Sequence, residues 1–204
     1  MGFYQDQVVP RITNVTLNSP ELAGVRQRVT AGLAGEVLEV GFGSGLNVPY
    51  YPPEVKRVRA VDPAQAGRKL AARRVAASPV PVEYVGLDGQ ELPVESDSVD
   101  YVLITWTMCT IPDVDTALRE MYRVLRRGGE LHFVEHSRSP DPGVARWQDR
   151  LTPLQRLVFA GCHLNRPIDR LVTEAGFRMT RLENFYLSGP KAFEYTFEGV
   201  AAKA

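Results

Sequence analysis

Short valine-rich segments alternate with longer amphipathic segments over the first two-thirds of this chain. The apolar segments are too short for buried helices, which predicts strands over 36–40, 57–62, 81–88, 99–106 and 130–136. Helical spacing of apolar residues predicts helices over 19–35, 63–78 and 113–129, the last one ending at Gly128–Gly129. Strands that alternate with helices form a mainly parallel sheet with helices on both faces. The pattern therefore predicts an α/β fold.

The last third of the chain follows a looser pattern. Residues 144–165 are amphipathic but contain Pro153, which predicts an interruption of the helix there. A helix is predicted over 167–177. Apolar and polar residues then alternate over 178–187 and 191–202, which predicts a terminal pair of strands.

Composition excludes several classes of partner and compartment. Lysine plus arginine and aspartate plus glutamate number 24 each, so no overall field favours nucleic acid or an anionic membrane. No basic stripe with interleaved aromatic residues is present, and we expect no nucleic-acid partner. We also expect no signal peptide, because the N-terminus has no apolar core of the usual length. A cytoplasmic protein without stable membrane insertion is predicted; peripheral membrane contact stays open.

The two cysteines are widely separated in sequence. Cys109 and Cys162 have neither metal-type nor redox-type spacing, so we expect them to form no pair of either kind. Cys109 is interpreted as a small buried apolar residue rather than a nucleophile. A disulfide framework is not expected, which fits a reducing compartment.

Three glycines follow the first predicted strand within five residues, at Gly41, Gly43 and Gly45. Glycine allows the chain to turn sharply out of the strand and leaves backbone amides exposed to a ligand. Such a loop can also be no more than a tight turn. A second observation is therefore needed to decide between a turn and a ligand site.

Carboxylates at three strand ends supply that observation. Glu39 lies inside the first strand, Asp62 ends the second, and Asp88 ends the third, just before Gly89. In a parallel sheet these positions meet at one carboxyl edge, where open α/β folds bind ligands. The sequence therefore predicts a ligand site at this edge.

Two nucleotide ligands compete for such an edge. A dinucleotide loop places glycine where this chain has Leu46, and Glu39 would repel a pyrophosphate. A ligand with an ammonium group, a ribose and an adenine amine matches Glu39, Asp62 and Asp88. S-adenosylmethionine has all three groups.

The segments VLEVGFGSG, AVDP, GLDGQELPVESDSVDYVL and LRRGGELHFVEH, in this order over about residues 36–136, resemble the class I, seven-stranded S-adenosylmethionine-dependent methyltransferases. The resemblance implies a Rossmann-like three-layer sandwich with strand order 3-2-1-4-5-7-6 and an antiparallel last strand. It implies no metal, and S-adenosylhomocysteine as the product. It also implies that Asp62 binds the ribose hydroxyls, that Asp88 and the Gly89 amide bind the adenine, and that the methionine part lies by Glu39 and the glycines. The cofactor-binding residues it implies are Glu39, Gly41, Gly43, Gly45, Asn47, Asp62, Pro63, Asp88, Gly89 and Thr105.

Three further segments, TMCTIPD, FVEH and GCHLNR, are similar to those of the small thiol S-methyltransferases. The resemblance implies a small apolar acceptor, with a thiol favoured. Phospholipid N-methylation, quinone or phenol methylation, and a cofactor-binding protein without turnover stay open. Membrane-bound animal members of that group carry an apolar N-terminal anchor, and we expect none in this protein.

Three residues are candidates for catalysis. His136 and His163 are each either a general base or a structural histidine, and Tyr4 either covers the cofactor or anchors the N-terminus by packing. We expect a single methyltransferase domain over 1–204, acting as a monomer or homodimer. Its parts are a helical lid (1–35), a cofactor-binding core (36–136), and acceptor-site helices with the terminal strand pair (137–204).

Overall fold

Seven strands form one sheet in the order β3-β2-β1-β4-β5-β7-β6 in the computed structural model, which describes residues 3–204. The first five strands pair in parallel, and β7 runs antiparallel to both β5 and β6. This confirms the predicted strand order and the antiparallel last strand. The strands are β1 Gly35–Val40, β2 Val55–Val61, β3 Val82–Gly86, β4 Val99–Thr105, β5 Leu125–His136, β6 Arg178–Tyr186 and β7 Tyr195–Ala202.

Helices cover both faces of the sheet, and two of them connect parallel strands, β2 to β3 and β4 to β5. A short π-helical turn, Tyr4–Val8, precedes the first α-helix. The α-helices are α1 Val9–Thr16, α2 Pro20–Thr30, α3 Gln65–Ala77, α4 Val114–Val124, α5 Pro142–Val158, α6 Ile168–Glu174 and α7 Lys191–Glu194. None of the helices in residues 3–204 is both long enough and apolar enough to cross a bilayer.

Alternating side chains divide the core into two clusters, one on each face of the sheet. In β1, Leu38 belongs to the cluster that contains α4 and α6 residues, whereas its neighbour Val37 belongs to the cluster with α2 and α3 residues. Such alternation follows from the two-residue repeat of a strand. The sheet is buried on both faces, so its carboxyl edge is where a ligand can approach.

The predicted end of α4 is wrong by several residues. The helix ends at Val124, and Gly128–Gly129 lie inside β5 rather than at the end of the helix. Leu125 is fully buried and pairs with Val99, and the register with β4 shifts before Glu130. Gly128 has φ +74°, so the two glycines form an irregularity in the strand.

The predicted interruption at Pro153 is also wrong, because α5 continues through this proline. The buried residues of the helix, Ala145, Gln148 and Thr152, all precede Pro153. The side-chain amide of Gln148 donates to the Ser137 carbonyl (3.0 Å) and its oxygen accepts from the Ser139 amide (2.9 Å). These bonds attach α5 to the segment that leaves β5.

Candidate functional site

A cavity of about 1280 Å³ opens at the carboxyl edge of the sheet. Its lining includes the glycine loop, the ends of β1, β2 and β4, His136, the segment after α5, and parts of the N-terminal segment with α1. Nine of the ten residues implied for cofactor binding line it, as do His136 and His163; Gly45 and Tyr4 are absent from its lining.

The glycine loop combines left-handed backbone with close packing. Gly41 has φ +78°, and a Cβ added there would overlap the Thr107 side chain. Gly43 has φ +54°, and a Cβ added there would have no atom closer than the Gly41 carbonyl oxygen at 3.9 Å. Gly45 has φ +71° and packs against Ala71. Gly41 and Gly43 therefore border the cavity, whereas Gly45 shapes the turn behind them.

Gly67 was missed by the sequence analysis. It lies in the first turn of α3, and a Cβ there would come within 2.9 Å of the Gly43 carbonyl oxygen. The helix can therefore pack directly on the glycine loop. Its only sequence signal is a small residue five positions after the acidic end of β2.

Glu39 is the most buried charged residue of the cavity lining, at 1% exposure. Its carboxylate accepts from the Asn47 side-chain amide (2.9 Å) and from the Tyr51 hydroxyl. Burial raises the pKa of Glu39 to about 7, although these two hydrogen bonds and nearby Arg26 oppose the shift. Asn47 also donates to the Thr105 hydroxyl (3.1 Å), so three of the implied residues form one connected group.

Asp62 holds the glycine loop to the start of α3. Its carboxylate accepts from the Gly43 amide (2.7 Å) and from the Ala64 amide (2.8 Å). Burial raises the pKa of Asp62, against the lowering effect of these two bonds. Each oxygen keeps a free lone pair for a hydroxyl of a ligand. Pro63, the next residue, is exposed and lines the cavity.

Asp88 lies at the exposed rim of the cavity. Its carboxylate accepts from the Gln90 amide (2.8 Å), and a Cβ at the neighbouring Gly89 would lie 2.9 Å from Val40. Leu87 is 58% exposed and also lines the cavity. The rim therefore offers a carboxylate, a closely packed backbone and an apolar side chain to a flat ring of a bound ligand.

A buried cation beside Glu39 was also missed. Arg26 is 4% exposed, donates to the Asn47 side-chain oxygen (2.6 Å) and stacks 4.8 Å from the centre of the Trp106 ring. Burial lowers the pKa of Arg26 to about 10, with Glu39 acting in the opposite direction. The signal was present, because Arg26 shares the buried face of α2 with Leu22 and Val29.

Trp106 adopts an unusual backbone conformation where β4 enters the cavity. Its φ is +49°, and its indole N–H has no hydrogen-bond partner among residues 3–204. Left-handed backbone at a bulky residue stores strain, and such strain clusters at functional sites.

The cysteines lie together at the other end of the cavity, although they are far apart in sequence. The Sγ atoms of Cys109 and Cys162 are 3.5 Å apart, and His136 Nδ1 lies 3.9 Å from Cys162 Sγ. Both thiols are free and buried. Burial of Cys109 agrees with the interpretation of this residue. Sequence spacing gave no sign of this contact, because 53 positions separate the cysteines and the fold brings them together.

The pKa values of Cys162 and His136 are shifted in opposite directions in this group. The hydrogen bond with Cys109 and the His136 ring hold the pKa of Cys162 well below its usual range, against the opposing effect of burial. Burial would lower the pKa of His136, but the neighbouring Cys162 raises it overall. The pair therefore favours a thiolate beside an imidazolium.

Glu135 holds the loop that carries Cys109. Its buried carboxylate accepts from the amides of Thr107 (2.7 Å), Met108 (2.8 Å) and Cys109 (3.2 Å). Burial raises the pKa of Glu135 to about 7, while these three bonds oppose the shift. It is a positioning residue that the sequence analysis missed.

The remaining catalytic candidates differ in position. His163 lines the cavity, and its Nδ1 lies 3.1 Å from the Cys109 carbonyl; burial and nearby Arg166 lower the pKa of its ring. Tyr4 donates through its hydroxyl to the Val158 carbonyl (3.0 Å) at the end of α5. This contact ties the N-terminal segment to α5, in line with the anchoring alternative.

The comparisons with known proteins agree with this geometry. A methyltransferase domain model matches residues 38–133. The human thiol S-methyltransferase TMT1A is 30% identical over 195 residues, covering 94% of this chain and 76% of the relative. A phosphatidylethanolamine N-methyltransferase of Cereibacter sphaeroides is 28% identical over 149 residues, 69% of this chain and 68% of that protein.

Solved structures show the same fold. The structure of an S-adenosylmethionine-dependent methyltransferase from Aquifex aeolicus superposes with a TM-score of 0.69 at 19% identity, covering 96% of this chain and 98% of that one. Together with the strand order and the domain match, this defines the class of protein. The chain belongs to the class I S-adenosylmethionine-dependent methyltransferases, and it is an enzyme of that family.

The residues around the cavity fit the cofactor of this family. Gly43 leaves open space at the loop, Asp62 keeps free lone pairs, and Trp106 offers an unpaired N–H within the lining. Buried Arg26 and Glu39 supply one charge of each sign, as an amino-acid end group requires.

Proposed function

We propose that this enzyme transfers a methyl group from S-adenosylmethionine to a small apolar thiol. The single observation that carries the proposal is the continuous cavity. It runs from the glycine loop and Asp62 to the sulfur and imidazole groups of Cys109, Cys162 and His136. The 30% identity to a thiol S-methyltransferase over nearly the whole chain supports the same acceptor.

The cofactor end is assigned residue by residue. S-adenosylmethionine supplies a methyl group already activated by a sulfonium. In the proposal, Glu39 faces the ammonium group, Asp62 accepts the ribose hydroxyls, and Asp88 with the Gly89 amide binds the adenine. Arg26 and the Trp106 N–H, both in the cavity lining, would bind the carboxylate.

The acceptor end favours an apolar molecule with a soft nucleophile. The cavity lining also carries apolar side chains that the cofactor assignment leaves unused, among them Val9, Phe159, Leu187 and Phe193. A thiol is partly ionised near neutral pH and needs little basic assistance, unlike an alcohol. His163, whose lowered pKa keeps its ring neutral, and the neutral form of His136 are the proposed proton acceptors, because both line the cavity. The chain's main contribution is to align the sulfur with the methyl group and exclude water.

Labelled methyl transfer tests the acceptor. Purified protein is incubated with methyl-labelled S-adenosylmethionine and, in parallel, an alkyl thiol, a phenol, a reduced quinone and phosphatidylethanolamine vesicles. We expect label on the thiol, and much less of it in an Asp62→Ala control at the same cofactor concentration. Transfer to the phospholipid amine instead would favour the second candidate, which the C. sphaeroides relative supports.

The same assay separates an enzyme from a binding protein. Tight cofactor binding by calorimetry, with no transfer to any of the four acceptors, would contradict the proposal. That outcome would favour the alternative of a cofactor-binding protein without turnover.

A further inference from the structure

We propose that Cys109, His136 and Cys162 bind a zinc ion whose open fourth position faces the acceptor end of the cavity. The inference deepens the proposed function, on which its catalytic part rests. One ligand atom from each residue lies within 4.8 Å of the other two, and all three residues line the cavity. The sequence resemblance implied no metal, so the site is carried by the structure alone.

The distances between the ligand atoms are close to those of a zinc site. Tetrahedral bonding at Zn–S ~2.3 Å and Zn–N ~2.0 Å places two sulfurs about 3.8 Å apart and a sulfur about 3.5 Å from a nitrogen. The two Sγ atoms are 3.5 Å apart, and His136 Nδ1 is 3.9 Å from Cys162 Sγ. The third pair of ligand atoms, Cys109 Sγ and the His136 ring nitrogen, lies within 4.8 Å, so the ligands need to approach one another by at most about 1.3 Å to complete the geometry.

Hydrogen bonds, strand pairing and a backbone turn hold the three ligand residues in place. Glu135 fixes the loop of Cys109 through three amides, and the His163 amide donates to the Cys109 carbonyl (2.8 Å), joining the two cysteine segments. His136 pairs with Thr196 at the end of β5. Cys162 follows two left-handed residues, Ala160 (φ +49°) and Gly161 (φ +91°), which turn the chain back toward the cavity.

The donor set favours zinc and a catalytic type of site. Thiolate and imidazole ligands suit zinc, and three protein ligands with a free position are typical of catalytic zinc. Two thiolates neutralise the ion, so an anionic acceptor becomes the third negative ligand. Arg166, whose guanidinium donates to the Met108 carbonyl beside Cys109, supplies a nearby positive charge.

The open position gives the acceptor thiol a way to ionise. On binding zinc, the acceptor releases its proton to solvent and coordinates as a thiolate. In the transfer its sulfur forms a bond to the methyl carbon as the bond from that carbon to the sulfonium sulfur breaks. The neutral thioether binds zinc weakly and leaves. His136 is then a ligand, and coordination takes over the role of a base.

Metal binding is measured on the reduced full-length protein. Equilibrium dialysis against zinc, followed by elemental analysis, gives the stoichiometry. Substitution with cobalt gives thiolate charge-transfer absorption. We expect one metal ion per chain and protection of both thiols from alkylation. Cys109→Ser, Cys162→Ser and His136→Ala should each weaken binding by at least about 100-fold, since even outer-shell partners are worth 10–100-fold.

His132→Gln is the matched control, because it changes a histidine four residues earlier in β5 whose ring contacts the Val29 carbonyl and none of the three ligands, and it should leave metal affinity within about twofold. Calorimetry with S-adenosylmethionine confirms that each variant is folded. Metal-free reduced protein, or cobalt binding that survives both serine substitutions, would overturn the site. So would a Cys109–Cys162 disulfide that forms on mild oxidation at an unchanged rate in excess zinc.

Two results would distinguish failure of the zinc site from failure of the thiol acceptor. Stoichiometric zinc with methyl transfer to none of the thiols would uphold the metal site and remove the thiol acceptor. Full thiol methylation by chelator-stripped protein would uphold the proposed function and overturn the catalytic part of the zinc proposal.

Discussion

The two ends of the cavity are built in different ways. At the cofactor end, Glu39, Asp62 and Asp88 lie in or just beyond consecutive strands, so the sheet alone brings them to one edge. At the acceptor end, Cys109, His136 and Cys162 come from the loop after β4, the end of β5 and the turn after α5. Strand topology assembles the first set, and packing of irregular segments assembles the second.

The two ends should therefore differ in how well they tolerate substitutions. The cofactor end depends on backbone conformation and close approach, so even small substitutions there should weaken cofactor binding strongly. The N-terminal segment contacts the end of α5 through the exposed hydroxyl of Tyr4, so substitution of Tyr4 should have a mild effect.

Gly41→Ala should have the largest effect. A Cβ at Gly41 would overlap Thr107, and the residue has φ +78°. Steric overlap and left-handed strain together should weaken cofactor affinity by roughly 100-fold or more, measured by calorimetry. Gly32→Ala is the matched control, with φ +85° and no atom within 4 Å, and should change cofactor affinity by less than about twofold. Equal affinity in both variants would contradict the close-approach argument.

Asp62→Ala should weaken cofactor binding by roughly 1.5–3 kcal/mol through lost charge-assisted hydrogen bonds. The variant also frees the Gly43 and Ala64 amides. Asp62→Asn keeps a hydrogen-bond acceptor without the negative charge, so its cofactor affinity should lie between those of the wild type and Asp62→Ala. Normal titration of the alanine variant with cofactor would remove the assigned ribose contact.

Lower pH should weaken cofactor binding through Glu39. Its pKa is raised to about 7 by burial, so the ionised fraction falls from about half at pH 7 to about a tenth at pH 6. Because the proposed ammonium contact needs the carboxylate, affinity should drop about fivefold over this range. Glu39→Gln should bind weakly at both pH values and lose this dependence. A wild-type affinity that is flat from pH 6 to 7 would argue against the contact.

The folded protein should also become less stable as pH rises. Glu39 and Glu135 both have a pKa of about 7 in the folded state, above the usual 4.5. Between those values the folded state binds more protons than the unfolded state, so the free energy of unfolding falls. Denaturant titrations at pH 5 and pH 7 should show this decrease for the wild type and a smaller one for Glu39→Gln.

Tyr4→Phe should have the smallest effect. It removes one hydrogen bond to the Val158 carbonyl at a 41% exposed side chain. We expect unchanged cofactor affinity and a rise of about twofold in KM for the acceptor, from a net loss near 0.5 kcal/mol. A tenfold fall in kcat would instead give Tyr4 a role in catalysis.

Local sequence predicted the parallel sheet and the position of the carboxylates well, but it placed several element boundaries wrongly. Gly128–Gly129 have the composition of a helix end, yet buried Leu125 starts the strand before them, because packing in the sheet outweighed a local preference. The helix predicted over 19–35 ends at Thr30, because Gly35 already belongs to β1. Pro153 has the signature of a break, yet α5 continues through it to Val158.

By itself the sequence determined the order of strands and helices, the glycine loop, and the acidic residues at three strand ends. These features follow from local periodicity and from the rule that parallel strands share a carboxyl edge. Only the tertiary structure decided that Cys109, His136 and Cys162 meet, and that Arg26 points at Asn47 and Trp106. Such contacts join residues separated by 21 to 80 positions, and their distances depend on how whole elements pack.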